Sequence, residues 1–308
     1  MPELPDALSV ALRAVSFVLL LNAAGISIFV TVFGHLLPGS LPALTKLGWR
    51  LAIGALVFVV GHHALEAARM AGDMSGLTDP AMQAMTMRSS EGAAFVLRVG
   101  GLVLVAVGLR GGARFRSGAD AGGGRIPAAA GAQYGRVAPV LGITGAVLAV
   151  AAFTLTGHTS VTPHRPLAAA LLTVHLLIVA FWLGALWPLY LAASKEPPSI
   201  AAQLIDAFSR IAAWVVPLIL LAGVGLAVLL VPNLAVFRQP YGLLLLAKVA
   251  LFAVLMALAT LNKWALGPAC ASGRPRAFKQ AVVVEYILIC AVLAITAAMT
   301  TFYSPEAP

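Results

Sequence analysis

The sequence predicts an all-α, polytopic membrane protein with eight transmembrane helices and both termini on the periplasmic side. Three observations predict it. The 308 residues are 61% hydrophobic and only 10% charged, where a soluble domain would carry about a quarter charged residues. Apolar runs of about 20 residues, enough to cross a bilayer as a helix, recur from end to end. These runs are continuous Leu, Val and Ala rather than the short period-2 alternation of a membrane β-barrel.

Taken in order, the expected spans are Ala11–Phe33, closed by Gly34, then Leu51–Met70, Ala93–Leu109 and Val137–Leu155. The fifth, Leu167–Tyr190, follows Pro166, a residue favoured at the first position of a helix. Ile211–Val231, Leu243–Leu261 and Ala281–Phe302 complete the set. Lysine and arginine orient them. One set of loops carries Lys46 and Arg50, then Arg110, Arg114, Arg116, Arg125 and Arg136, then Lys195 and Arg210, then Lys263, Arg274, Arg276 and Lys279. The other set has Arg69, Arg88, Arg165 and Arg238, diluted by Asp73, Asp79 and Glu91. The basic set marks the cytosolic side. The net charge of +9 is therefore topological, and nucleic acid is not an expected partner. Cys270 and Cys290 form neither a CxxC pair nor a disulfide framework. The acidic start "MPELPDALSV" does not resemble a cleaved signal peptide.

Residues 110–136, rich in Gly and Arg, predict a flexible cytosolic linker. It would divide an N-terminal three-helix unit, 1–109, from a five-helix unit, 137–308. The periplasmic loop 71–92 belongs to the first unit.

Chemistry concentrates around "GHHALEAARMAGDM", residues 61–74. At ~1.5 Å per residue, His63 lies ~10 Å, His62 ~12 Å and Glu66 ~6 Å below the outer surface, and His175 of the fifth span lies ~13 Å down. Two helices thus bring histidines to one depth. His62, Glu66 and Met70 are spaced i, i+4, i+8, and His63 and Met70 are seven apart. His158 and His164 lie at the same outer side. Met74, Met82, Met85 and Met87 stand among Gly, Asp, Ser and Gln, where an apolar core does not explain them. Thioether sulfur selects Cu(I) and imidazole suits copper. The pattern predicts a methionine mouth (Met74, Met82, Met85, Met87) over a metal site of His62, His63, Glu66, Met70 and His175, with His158 and His164 at the entrance. Plain structural readings stand beside it: hydrogen-bonding helix histidines, a buried polar cluster, and methionines resting on lipid.

Lys248, Glu285 and Trp182 are further candidates for a transport path. Snorkelling to the nearer interface is the alternative for the two charges, and packing for Trp182. At ~8 Å from the outer and ~6 Å from the inner surface, Lys248 and Glu285 are too far apart in depth to pair. No phosphate loop or thiol pair for an ATP-driven pump is present, so no enzymatic activity is expected. Inward movement of Cu+ along a negative-inside potential gains ~2.3 kcal/mol per 100 mV, so uptake needs no further energy source.

Four stretches, "VHLLIVAFWLGALWPL" (174–189), "FSRIAAWVVPLILLAGVGLAV" (208–228), "YGLLLLAKVALFAVLMALATLNKWALGP" (241–268) and "FKQAVVVEYILICAVLAIT" (278–296), resemble the CopD copper-resistance membrane proteins. His175, Trp182, Gly184, Tyr241, Gly242, Lys248, Asn262, Pro268 and Glu285 carry the resemblance. The "TGH" ending at His158 and the opening of the first span are also similar to the short proteobacterial members. The resemblance implies a bacterial inner-membrane protein that moves copper between periplasm and cytoplasm, with a CopC-like periplasmic copper-binding protein as partner. It implies no ligand set. Two histidines at one depth also suit axial haem ligation, so a b-type cytochrome with His63 and His175 as ligands is the alternative. An oxidoreductase acting on periplasmic Cu(I) is a third reading.

Overall fold

The structure, a computed structural model, describes residues 4–120, 128–157, 160, 162–231 and 233–303; side chains of 4, 5, 112–120 and 128–136 are outside the description. Eight of its helices are long and apolar enough to cross a membrane, as the sequence predicts. No strand occurs among the described residues. The end of the bundle that carries the methionines is called the methionine end, and the opposite one the far end.

Helix α1 (Leu4–Phe33) is apolar on nearly every side, which suits a helix buried all round. Leu21, Ala23, Ala24, Ile26 and Phe29 have no exposed surface. A turn through Pro38 leads to α2 (Leu41–Ala71), which ends at Gly72. There φ is +83°, and the Gly72 N–H bonds the Arg69 carbonyl. A left-handed residue after a helix is a common stop, and glycine takes it without strain.

The segment expected to be a plain loop instead folds. A 3₁₀ turn, Met74–Leu77, and a short helix α3, Pro80–Met87, lie across the end of α2. The carboxylate of Asp73 accepts from the Ser75 N–H, and that of Asp79 accepts from Ala81 and Met82. Aspartate at the cap with proline after it is a strong helix start. Those caps outweigh the Gly and Ser content that reads as loop.

Helices α4 (Ser90–Asp120) and α5 (Ala128–Ala151) follow. The expected linker is therefore helical over 110–120 and 128–136, while 121–127 lie outside the described residues. Extending an existing helix fixes one residue per added hydrogen bond, whereas starting one is costly. Then come α6 (Arg165–Lys195), α7 (Pro198–Leu230), α8 (Pro240–Leu261), a π-helical turn Asn262–Leu266, α9 (Gly267–Ala271) and α10 (Arg276–Phe302).

Helix α1 is the hub, packed by α2, α4, α5, α6 and α10. Its crossing with α6 is backbone to backbone: a Cβ on Gly25 would collide with the Ala180 carbonyl and lie 2.9 Å from the Gly184 Cα. Small residues allow such approach where apolar burial gives helices no reason to associate in lipid. The α4–α5 crossing is built the same way. A Cβ on Gly101 would lie 2.6 Å from the Gly145 oxygen, and one on Gly108 2.8 Å from the Gly142 nitrogen. Helix α5 thus takes its main packing from α4 and α1.

Candidate functional site

Helix α2 presents two chemically distinct faces at the methionine end. Toward α1 it turns His62, Glu66 and Arg69. Arg13, from within the apolar run of α1, donates from Nε to His62 Nε2 at 3.1 Å and approaches Glu66 Oε1 at 3.4 Å. Arg69 pairs with Glu66 Oε2 at 2.9 Å and with Asp6 at 3.0 Å. Ser9 donates to Glu66 at 3.5 Å, and the Arg13 guanidinium also donates to the Thr300 carbonyl of α10 at 3.3 Å. His62 and Glu66 are buried. Two guanidinium groups and two carboxylates offset each other here, which is how ionic groups persist within a bundle.

This network gives His62 and Glu66 protein partners at the positions expected to hold a metal. His62 Nε2 accepts from Arg13, and the Glu66 oxygens accept from Arg13 and Arg69. The i, i+4 spacing of His62 and Glu66 does put them on one face, with Nε2 and Oε1 3.2 Å apart.

The other face carries His63 and Met70. Seven residues turn a helix through ~700°, so the two differ by ~20°, whereas eight residues put Met70 ~80° away from His62. His63 stacks on Phe95 of α4 with ring centroids 4.2 Å apart. The Met70 sulfur accepts from Thr86 Oγ1 of α3 at 3.4 Å. Gln83 fastens α3 down by donating to the carbonyls of Ala64, Gly76 and Leu77. Met70, Met74, Met85 and Met87 are exposed on this cap, 39–50% of each being accessible, and Met82 is half-buried. Hydrogen bonds from Ser75 hold the Asp73 carboxyl below the usual range, so this rim keeps a negative charge beside Met74.

His175 does not join them. Helix α2 packs on α1 and α4, whereas α6 packs on α1, α7 and α10, so α1 stands between the two histidine helices. Depth follows from counting residues; lateral position does not. The His175 ring turns to α7, with Nδ1 3.1 Å from the Ile219 carbonyl and Cε1 against Gly223. If Nδ1 carries the proton it donates to that carbonyl and leaves Nε2 as a free donor atom. Lys248 of α8 lies near enough to act on His175 electrostatically, and makes no hydrogen bond or ion pair among the described residues. His164 is exposed at the start of α6, and His158 lies outside the described residues. Among the described residues no three His, Cys, Asp or Glu side chains gather as a metal cluster. His63 and His175, facing α4 and α7 respectively, do not bracket a common slot, and the haem reading gains no support.

A second polar centre lies in the far half. Glu285 of α10 is buried, 4% exposed, so it does not snorkel. Trp182 Nε1 donates to Oε2 at 3.2 Å, and Asn262 Nδ2 donates to Oε1 at 2.6 Å. Trp182 is thus a polar partner and not only packing. The three residues border a cavity of about 310 Å³ between α6, α7, α10 and the π-helical turn after α8. Lys248 and Glu285 form no ion pair, in line with their expected depths.

Sequence reasoning missed Arg13 and Ser9, and marked Asn262 only as a residue of the resemblance, not as a partner of Glu285. Arg13 carried a usable signal: a charge well inside an apolar run demands a partner on another helix. Asn262 sits where α8 changes to π geometry, which spacing does not reveal.

Three of the four walls of the cavity also fall where comparison with known proteins finds a match. Residues 202–299 match the family model of CopD, copper resistance protein D. The match takes in α7, α8, α9 and nearly all of α10, about a third of the chain, and includes Lys248, Asn262 and Glu285. Neither a curated protein nor a solved structure matches the chain. The CopD-matching segment therefore supplies three walls of the cavity, and α6, outside the match, supplies the fourth with Trp182.

Proposed function

We propose that this chain is a copper-transport protein of the bacterial inner membrane, contributing to copper homeostasis and resistance by admitting Cu(I) from periplasm to cytoplasm. The match of residues 202–299 to copper resistance protein D carries the reading. The eight apolar helices fit it, and the lysine and arginine bias puts the methionine end and both termini in the periplasm.

In this reading Met74, Met85 and Met87, exposed on the cap, collect the ion, and Met70 and Met82 pass it down toward His63. Thioethers bind Cu(I) without a charge change and exchange it readily, which suits capture. His164 and His158 belong to the mouth. His175, with Nε2 free, is a ligand of the five-helix side. His62 and Glu66 hold the frame in which α2 presents its other face. The capturing end belongs to the first unit, 1–109, and the CopD-matching segment, 202–299, to the second, 137–308. The exposed methionine cap is the docking place for a CopC-like periplasmic copper carrier.

Copper per polypeptide, measured by elemental analysis of purified protein after exposure to Cu(I), tests this. At least one bound copper is expected, reduced when Met70, Met74, Met82, Met85 and Met87 are all changed to Leu. His63→Ala weakens binding, and His62→Ala leaves it intact. Equal copper in all four proteins would remove the methionines and His63 from the path.

A further inference from the structure

The cavity around Glu285 asks for a positive charge that the protein does not supply. Among its charged lining residues, Glu285 stands opposite only Lys263, whose ammonium lies over the Trp264 ring at 5.1 Å and makes no ion pair with it. A buried carboxylate without a cation is costly unless something neutralises it. Each Glu285 oxygen accepts from one neutral donor, Trp182 or Asn262. A carboxylate has about four lone-pair sites, so half its capacity remains, fixed in direction by those donors.

Asn262 adds the second observation. Its Nδ2 is committed to Glu285, and its Oδ1 is buried with no partner. Leaving a buried acceptor unsatisfied is costly. Its residue opens the π-helical turn, a geometry that recurs at functional sites because it frees backbone and side chain from the regular ladder. The cavity is large enough for an ion with several waters, a water taking up about 30 Å³ of liquid.

We infer that this cavity is a binding site for a small hard monovalent cation, a proton or Na+, taken up between the Glu285 carboxylate and the Asn262 carbonyl oxygen. Oxygen donors suit hard cations, whereas Cu(I) prefers sulfur and imidazole. The site is therefore distinct from the copper path at the methionine end. That the cation accompanies copper across the membrane rests on the transport reading above; its binding here does not.

The test uses full-length protein in detergent. Equilibrium binding of radioactive Na+ at alkaline pH is measured first, and tryptophan fluorescence is then followed against pH in sodium-free buffer, since Trp182 donates to the site. Saturable Na+ binding that is lost in Glu285→Gln identifies Na+. No Na+ binding, but a fluorescence titration lost in Glu285→Gln and in Trp182→Phe, identifies the proton. The other titratable residue lining the cavity is Lys263, so Lys263→Met must retain the response. Asn262→Leu, which removes both Oδ1 and the Nδ2 donor to Glu285 but leaves the carboxylate, weakens Na+ binding or moves the fluorescence titration, and serves if Glu285→Gln does not fold. Wild-type protein with neither signal overturns the inference, as does a signal unchanged in Asn262→Leu and Glu285→Gln. Copper bound by the same preparations is measured separately. Copper without either cation signal sinks this inference alone, whereas a cation signal without copper sinks only the transport reading.

Discussion

Around α1 and α4 the helices meet backbone to backbone, whereas around α7 and α8 most of the surface is turned outward. In an 18-residue apolar stretch of each helix, 56% of α1 and 44% of α4 and of α5 is buried, against 11% for α7 and for α8, with α2 and α10 alike at 33%. The first group closes on an ionic network in which every carboxylate meets a guanidinium. The second leaves a cavity with a lone carboxylate. A dense half resists deformation, since packed interiors transmit strain rather than absorb it, although it too buries Asn22 Oδ1 and Arg98 Nε without partners. A thinly packed half with a lone carboxylate has room for an occupant and for movement. The CopD match falls on the thinly packed half.

Removing one partner from the dense half is the most severe way to break that comparison. Glu66→Ala leaves Arg13 and Arg69 facing each other inside the bundle and lowers stability by about 3 kcal/mol or more, read as thermal unfolding in detergent. If the unfolding midpoint does not move, the network is ornamental. Gly184→Ala, whose Cβ is forced against the α1 backbone at Gly25, costs about 2 kcal/mol through overpacking. The corresponding substitution in the open half behaves differently. A Cβ on Gly223 would lie 3.5 Å from His175 Cε1, an ordinary contact, so Gly223→Ala is tolerated and gains about 0.5 kcal/mol from helix propensity. Trp214 is 81% exposed on α7, and Trp214→Ala changes stability by no more than about 0.5 kcal/mol. Equal losses at Gly184 and Gly223 would erase the difference between the halves.

The spans were legible because twenty apolar residues have few other places to go. All eight were placed, and Pro166 and Gly34 marked real helix boundaries. That His62, His63 and Glu66 share the last turns of one helix was legible for the same reason. Which neighbour each would face was not. His62 and His63 are adjacent in sequence and point to different helices, one to Arg13 and one to Phe95. Only the order of helices around α1 decides that, and no local spacing encodes it. Glu285 was recognised as a buried charge, but its partners come from α6 and from a π-helical turn, 103 and 23 residues away in sequence. Within the methionine segment the short helix was legible at Asp79-Pro80, a helix start by composition alone.

The central claim is that the chain moves copper inward from its methionine end. Copper uptake into proteoliposomes tests it most directly, with Cu(I) outside and a negative-inside potential imposed, and with internal copper measured by elemental analysis. An elementary charge gains ~2.3 kcal/mol per 100 mV on entering. The account predicts uptake above protein-free vesicles that rises with the potential. It also predicts that the five methionine-to-leucine changes slow uptake at low copper and that saturating copper restores it. Internal copper no higher than in protein-free vesicles, at any potential, would contradict it.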